Sequence, residues 1–340
     1  MASLWIRDGI ATNTTEALAA CTPAVPGKYG NVPIDACNSL YMYEPNFSSA
    51  VAFTVLFTLI TLVQIVEAIS FRKGFCWTII MGAFWEAAAM AFHALGARDQ
   101  QNQAYAVAHT LVFLLAPLWI NAAVYMTAGR LVHFYLPERQ IFKIKAPLLA
   151  RYFVLADILG FILQGIGGVM LSPGASKETM EQGLNWYMAG IATQEFFICV
   201  FTVIVLAFHM KMWKLERHGA MLEGRDGTWR WMVWTIYGVL ALITVRIAYR
   251  LAEFAGGFVP SNPLPYDEVY MLNLDALPML LALTLFCVKA AKKAAREQEL
   301  DMWRTAEAGA AQPSGNSTFA FHKPGVPVKA AQRQAGTQWI

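Results

Sequence analysis

Seven stretches of this 340-residue chain are apolar for about the length of a membrane-spanning helix: positions 48–70, 76–96, 104–132, 148–171, 186–209, 231–254 and 269–288. A helix needs roughly 20 residues to cross a hydrocarbon core of about 30 Å. Inside lipid every backbone N–H and C=O must find its partner within the protein, which leaves helices or a closed barrel. The seven stretches are rich in Ala, Leu, Met and Ile and lack the ten-residue alternation of barrel strands. They predict an all-α, polytopic membrane protein with seven transmembrane helices. Composition agrees, with 57% hydrophobic and 14% charged residues, where a soluble domain carries about 25% charge. A formal net charge of +3 is too small to suggest nucleic acid.

The short loops predict orientation. Arg72 and Lys73 follow the first span; Arg130, Arg139, Lys143, Lys145 and Arg151 flank the third loop. Lys211, Lys214, Arg217, Arg225 and Arg230 mark the fifth, and Lys289, Lys292, Lys293 and Arg296 begin the tail. The even-numbered loops are poor in basic residues. Positive charge stays in the cytosol, so the sequence predicts an external N-terminus and a cytosolic C-terminus.

Residues 1–47 then form an extracytoplasmic segment, 48–290 the seven-helix domain and 291–340 a cytosolic tail. No basic stretch followed by an apolar one opens the chain, so no cleavable signal peptide is expected. Cys21 and Cys37 fall on the oxidising side, and a disulfide between them is favoured over two free thiols. Asn13 heads an exposed glycosylation sequon, Asn13-Thr14-Thr15. Cys76, Cys199 and Cys287 have no metal-ligand spacing and read as packing residues. The tail from Gln312 is rich in Gly, Pro and Ser and reads as disordered. No feature implies a cofactor, a resident metal or a particular oligomeric state.

The segment "RIAYRLAEFAGG" (246–257) poses the main question. Arg246, Arg250 and Glu253 fall on one helical face, in a stretch otherwise without charge back to Arg230. Other spans carry Glu86 with His93, seven apart and so on one face, and Asp157 with Gln164 at the same spacing. His109, Asn121, Tyr125, Glu195 and Asp275 complete the polar set. An intramembrane charge costs roughly 2.5–3.5 kcal/mol and marks function by default. All of these residues lie between mid-membrane and the outer interface, which suggests a polar cavity open to the outside. Interhelical ties that merely hold the bundle together are the other reading. For Arg250 and Glu253, snorkelling to the outer headgroups is an alternative. Arg246 lies about a turn deeper, and Asp275 or Asp157 is its expected partner. Pro117 and Pro278 interrupt two spans, and "GIGG" (165–168) invites close approach.

In order along the chain stand Tyr41, Tyr43 and Pro45, then "LLAPLWINAAVYMTAGR" (114–130), "DILGFILQGIGG" (157–168), "RIAYRLAEFAGG" (246–257) and "DALPML" (275–280). Together these resemble the fungal lipid-translocating exporters, seven-helix proteins that include aminocholesterol-resistance proteins and a sphingoid-base exporter. The resemblance covers about 41–288. It implies movement or export of lipids and amphiphilic toxins without an ATP-binding domain. The chain departs from the family pattern at His109, where glutamine is common, and at Ala87 to Ala89 and His93.

The expected function is therefore export or translocation of an amphiphilic small molecule, with membrane lipids as partners and the plasma membrane as the location. No Walker A motif occurs, so any driving force comes from a gradient, with protons on Asp157 or Glu86 as candidate carriers, or from mass action. Two alternatives stand beside it. A seven-helix receptor fits the topology, although the third span ends in "TAGRLVHF" and the seventh lacks Asn-Pro-x-x-Tyr. An intramembrane enzyme using His93, His109 and Asp157 lacks supporting ligand spacing.

Overall fold

The computed structural model describes residues 23–34, 36, 38–71, 76–170, 176–219, 228–255 and 262–287. Among them, seven helices are long and apolar enough to cross a membrane. They are α1 (Phe47–Phe71), α2 (Trp77–Arg98), α3 (Gln103–Tyr135), α4 (Ala146–Met170), α5 (Lys177–Arg217), α6 (Thr228–Ala255) and α7 (Glu268–Cys287). Each of the first five packs on the next one along the chain, and α6 also packs on α3 and α7. The helices run alternately up and down, so α1, α3, α5 and α7 all begin at one end, called here the Phe47 end.

A helix start leaves four N–H groups without partners, and at the Phe47 end side chains supply acceptors. Asn46 Oδ1 accepts from Ser48 and Ser49 N–H at 2.9 and 3.4 Å. Asn102 caps α3 through Ala104 N–H at 3.1 Å, and Ser176 caps α5 through Thr179 N–H at 3.2 Å. Asp267 caps α7 through Val269 N–H at 2.9 Å.

The helices outrun their apolar stretches. α5 spans 41 residues, about 60 Å at 1.5 Å per residue, against the expected 186–209. Its polar ends are built from Glu, Met, Lys and Leu, which favour helix whether or not lipid surrounds them. The loop between α3 and α4 holds an element that hydropathy does not show: Gln140–Ile141 pairs antiparallel with Ile144–Lys145. Phe142 and Lys143 make the two-residue turn with φ of 47° and 64°, the left-handed conformation a tight hairpin requires. Ile141 is buried beneath it.

Lipid is as apolar as leucine, so close packing rather than hydrophobic burial holds such helices together. One face of α1 is left to lipid, with Val55, Leu59, Leu62, Val66 and Ile69 exposed. Between α4 and α5 the backbones nearly touch. A Cβ on Gly167 would meet the carbonyl of Gly183 at 2.5 Å, and one on Gly190 would meet that of Gly160 at 2.6 Å. Of the "GIGG" glycines only Gly167 makes this approach; Gly165 and Gly168 face open space. Lower in the bundle Tyr125, Phe153 and Phe201 pack ring on ring, with centroids 4.6 to 5.4 Å apart.

Candidate functional site

Three helices, α2, α6 and α7, bring their charged side chains together near the Phe47 end. Arg246 of α6 is the centre. Its Nη1 donates to Glu86 Oε1 of α2 at 3.0 Å, and its Nε lies 2.6 Å from Asp275 Oδ1 of α7. Arg246 is 4% exposed, and Glu86 and Asp275 are 0% exposed, so neither carboxylate has water as an alternative partner. Of the two carboxylates expected to pair with Arg246, Asp275 does so and Asp157 does not; Glu86 is the second partner.

The third contact explains a proline. Pro117 carries no N–H, so the carbonyl four residues earlier, on Phe113, has no helical donor. Arg246 Nη2 donates to that oxygen at 3.0 Å. The Phe113 ring lies against the same guanidinium, 4.8 Å from its carbon, and 5.5 Å from that of Arg250. A break in α3 thus becomes a binding contact for α6.

Arg250 shares Asp275. Its Nε sits 2.5 Å from Asp275 Oδ2 and its Nη1 donates to Glu253 Oε2 at 3.2 Å. Snorkelling of Arg250 and Glu253 to the outer headgroups, the alternative drawn from the sequence, gives way to these inward contacts. Their side chains are only 21% and 15% exposed, because Arg250 turns inward to a carboxylate that one arginine leaves half-used. Asp275 reaches both arginines from a widened turn, a π-helical stretch over Leu272–Ala276. Pro278 follows at once; its ring would crowd the carbonyl of Leu274 in a regular α-helix, and the wider turn relieves this.

Above the arginines lies a histidine layer. His93 Nε2 is 2.8 Å from Glu268 Oε1. His109 Nδ1 contacts the Ala89 carbonyl at 2.9 Å; a carbonyl only accepts, so that nitrogen carries the hydrogen. The two rings are 4.6 Å apart, and His109 stacks on Phe113 at 5.3 Å. The segment before α1 covers this layer. Tyr41 and Tyr43 lie 6.5 and 6.2 Å from the His93 ring, and Asn46 N–H donates to Glu268 Oε2 at 2.7 Å.

The remaining polar residues form a separate site between α3, α4 and α5. Asn121 Nδ2 and Tyr125 O–H both donate to Asp157 Oδ2 at 3.0 Å. Toward the Phe47 end Gln164 Nε2 donates to Gln194 Oε1 at 2.9 Å. Glu195 joins neither group. It faces α6 half-buried and accepts weakly from the Cys199 thiol at 3.6 Å. His109 and Asn121 are twelve residues apart on α3, about 18 Å, so the histidines and Asp157 do not converge. Among the described residues no three His, Cys, Asp or Glu side chains gather as a metal site. Cys21, Cys37 and Asn13 lie outside the described residues.

Sequence reasoning missed Glu268 and Phe113. Glu268 falls just before the apolar stretch 269–288, where Asp267 is the cap of α7 and Glu268 its first residue. Phe113 carried a signal, the proline four residues on.

A family model described as RTA1 like protein matches residues 79–298. The chain is 40% identical to a protein of Emericella nidulans named probable lipid transporter atnI, over 79% of this chain and 71% of that one. It is 25% identical to protoporphyrin uptake protein 1 of Saccharomyces cerevisiae, over 73% of this chain and 91% of the relative. It is 24% identical to a lipid-translocating exporter-like protein RTA1 of Leptosphaeria maculans, over 74% of this chain and 50% of the relative. No solved structure matches the chain.

Proposed function

The chain belongs to the RTA1-like family, and on that premise we propose that it moves an amphiphilic small molecule across or within a membrane, without hydrolysing ATP itself. The observation that carries this reading is the Arg246 cluster. Two arginines and three carboxylates from α2, α6 and α7 pair with one another largely out of water, in a place where each alone would cost roughly 2.5–3.5 kcal/mol. A stripe of ion pairs across several helices is a two-state element. Closed, it seals the bundle; open, it offers both signs of charge to a headgroup while the tail remains in lipid. Glu86, His93, His109, Arg246, Arg250, Glu253 and Asp275 form this headgroup gate. Asn121, Tyr125, Asp157, Gln164 and Glu195 line the path beyond it.

The Phe47 end faces the outside of the cell and the tail the cytosol, in line with the basic loops. The plasma membrane is the location, and the N-terminal segment is stapled by Cys21 and Cys37 and glycosylated at Asn13. The names of relatives include both export and uptake, so the test measures both directions. Cells with and without the gene are loaded with sphingoid bases, sterols, porphyrins and amphiphilic toxins, and accumulation and release are followed. A compound whose distribution depends on the gene supports transport, and the Glu86→Gln/Arg246→Gln protein should not move it. Identical distributions for every compound sink the proposal.

A further inference from the structure

Each carboxylate of the Arg246 cluster has an arginine partner, and among the described residues Asp157 has none. Asp157 is fully buried near mid-span, eleven residues into α4 and thirteen from its end. The groups facing it from α3 are Asn121 and Tyr125, both neutral donors. From α5 come the Phe197 and Phe201 rings, packed on Phe153, and Glu195, which adds negative charge near Tyr125. On its own helix the nearest charge is Arg151, exposed, six residues away and about 120° round. Among the described residues no arginine, lysine or histidine forms an ion pair with Asp157.

The hydrogen bonds show what is missing. Both donors go to the same oxygen, Oδ2, while Asp157 Oδ1 and Asn121 Oδ1 are buried without any donor. Two orphan acceptors on side chains already joined by one hydrogen bond need one hydrogen between them. A carboxylic acid and a primary amide form a two-bond ring of this kind, with amide N–H donating to acid C=O and acid O–H to amide C=O. A proton on Oδ1 supplies that hydrogen and removes an uncompensated buried charge at the same time.

We infer that Asp157 is a proton-binding site, neutral in this conformation, and that its loss of the proton when α3 and α4 open to water couples transport to a proton gradient. Glu86, the other carrier considered from sequence, has a cation partner in Arg246. The coupling rests on the transport reading above; the protonation does not.

Infrared spectroscopy of the purified full chain tests the site directly. A carboxylic-acid C=O band should be present at neutral pH, shift down when aspartate is labelled with carbon-13 at its side-chain carboxyl, and disappear in Asp157→Asn. Tyr125→Phe should move it up, because the hydroxyl no longer donates to that oxygen. The isotope arm needs no variant to fold. An absent band, or a band unchanged in Asp157→Asn, overturns the proposal. So does a sodium-dependent change in the carboxylate bands that Asp157→Asn abolishes, which makes this a metal-cation site. For coupling, release of a fluorescent long-chain base from cells should slow several-fold when the proton gradient is collapsed, and Asp157→Asn should lose that response. Release that ignores the gradient in the unaltered protein overturns the coupling. No release from either protein counts against transport, while the infrared band still decides whether Asp157 holds a proton.

Discussion

Arg246 donates to the Phe113 carbonyl at 3.0 Å, the acceptor that Pro117 deprives of its helical donor. The two positions lie on different helices, and the proline on α3 makes room for the arginine on α6. Pro117→Ala should return the N–H and compete for the same oxygen. Proline in a helix interior costs about 3 kcal/mol relative to alanine, so the variant should be as stable as the parent or more so. Transport should nonetheless fall, since Arg246 loses an anchor. Melting temperature and transport measured together check this. A Pro117→Ala protein with full activity would show that the contact is packing alone.

Arg246→Ala should cost more than Arg250→Ala. Without Arg246, Glu86 keeps no cation and remains fully buried, a loss on the order of 3–5 kcal/mol for a broken buried pair. Without Arg250, Asp275 still has Arg246, and Glu253 lies near enough to the surface to find water. Glu86→Gln combined with Arg246→Gln should cost less than the sum of the single changes, by about 0.5–3 kcal/mol, as coupled sites do. Thermal unfolding in detergent gives the comparison. Strict additivity would separate the two side chains energetically.

The seven spans were legible because each is a run of apolar residues whose length the bilayer sets, and no tertiary information is needed to see that. The charged residues were visible for the same reason, as exceptions to the pattern. Partner choice was harder. Depth placed Asp275 level with Arg246, but which of α2 and α4 approaches α6 depends on packing around the bundle axis. From sequence the expected partners were therefore Asp275 and Asp157, not Glu86, and of Asp157 and Glu86 it is Glu86 that meets the arginine. Glu268 was hidden by its position at a helix start, where a carboxylate reads as a loop charge. The hairpin at 140–145 was hidden by its turn, because Phe142 and Lys143 are not the residues that normally announce positive φ.

The α4–α5 interface separates two glycines that look alike in sequence. A Cβ on Gly167 would lie 2.5 Å from the Gly183 carbonyl and from the Tyr187 nitrogen, both backbone atoms that cannot step aside. On Gly165 it would meet nothing within 4 Å. Gly167→Ala should therefore lower the melting temperature and the amount of protein reaching the membrane. Gly165→Ala should be neutral or stabilising by up to about 1 kcal/mol, the helix-propensity gain. Equal behaviour of the two variants would mean that α4 and α5 pack differently.

Orientation decides which side of the membrane the Arg246 gate serves. Glu253, His93 and Glu268 all lie within about two turns of helix ends at the Phe47 end, and Tyr41 to Asn46 fold over them. The basic residues Arg139, Lys143, Lys145, Lys211 and Lys214 gather at the opposite end. Positive charge stays in the cytosol, so a tag before Met1 should be reachable by antibody in intact cells, and a tag after Ile340 only after permeabilisation. Cysteines placed at Ser48 and at Lys145 in a variant lacking native cysteines should follow the same rule, with an impermeant maleimide labelling only the first. The reverse pattern would turn the gate toward the cytosol, and Asp157 would then take its proton from the opposite compartment.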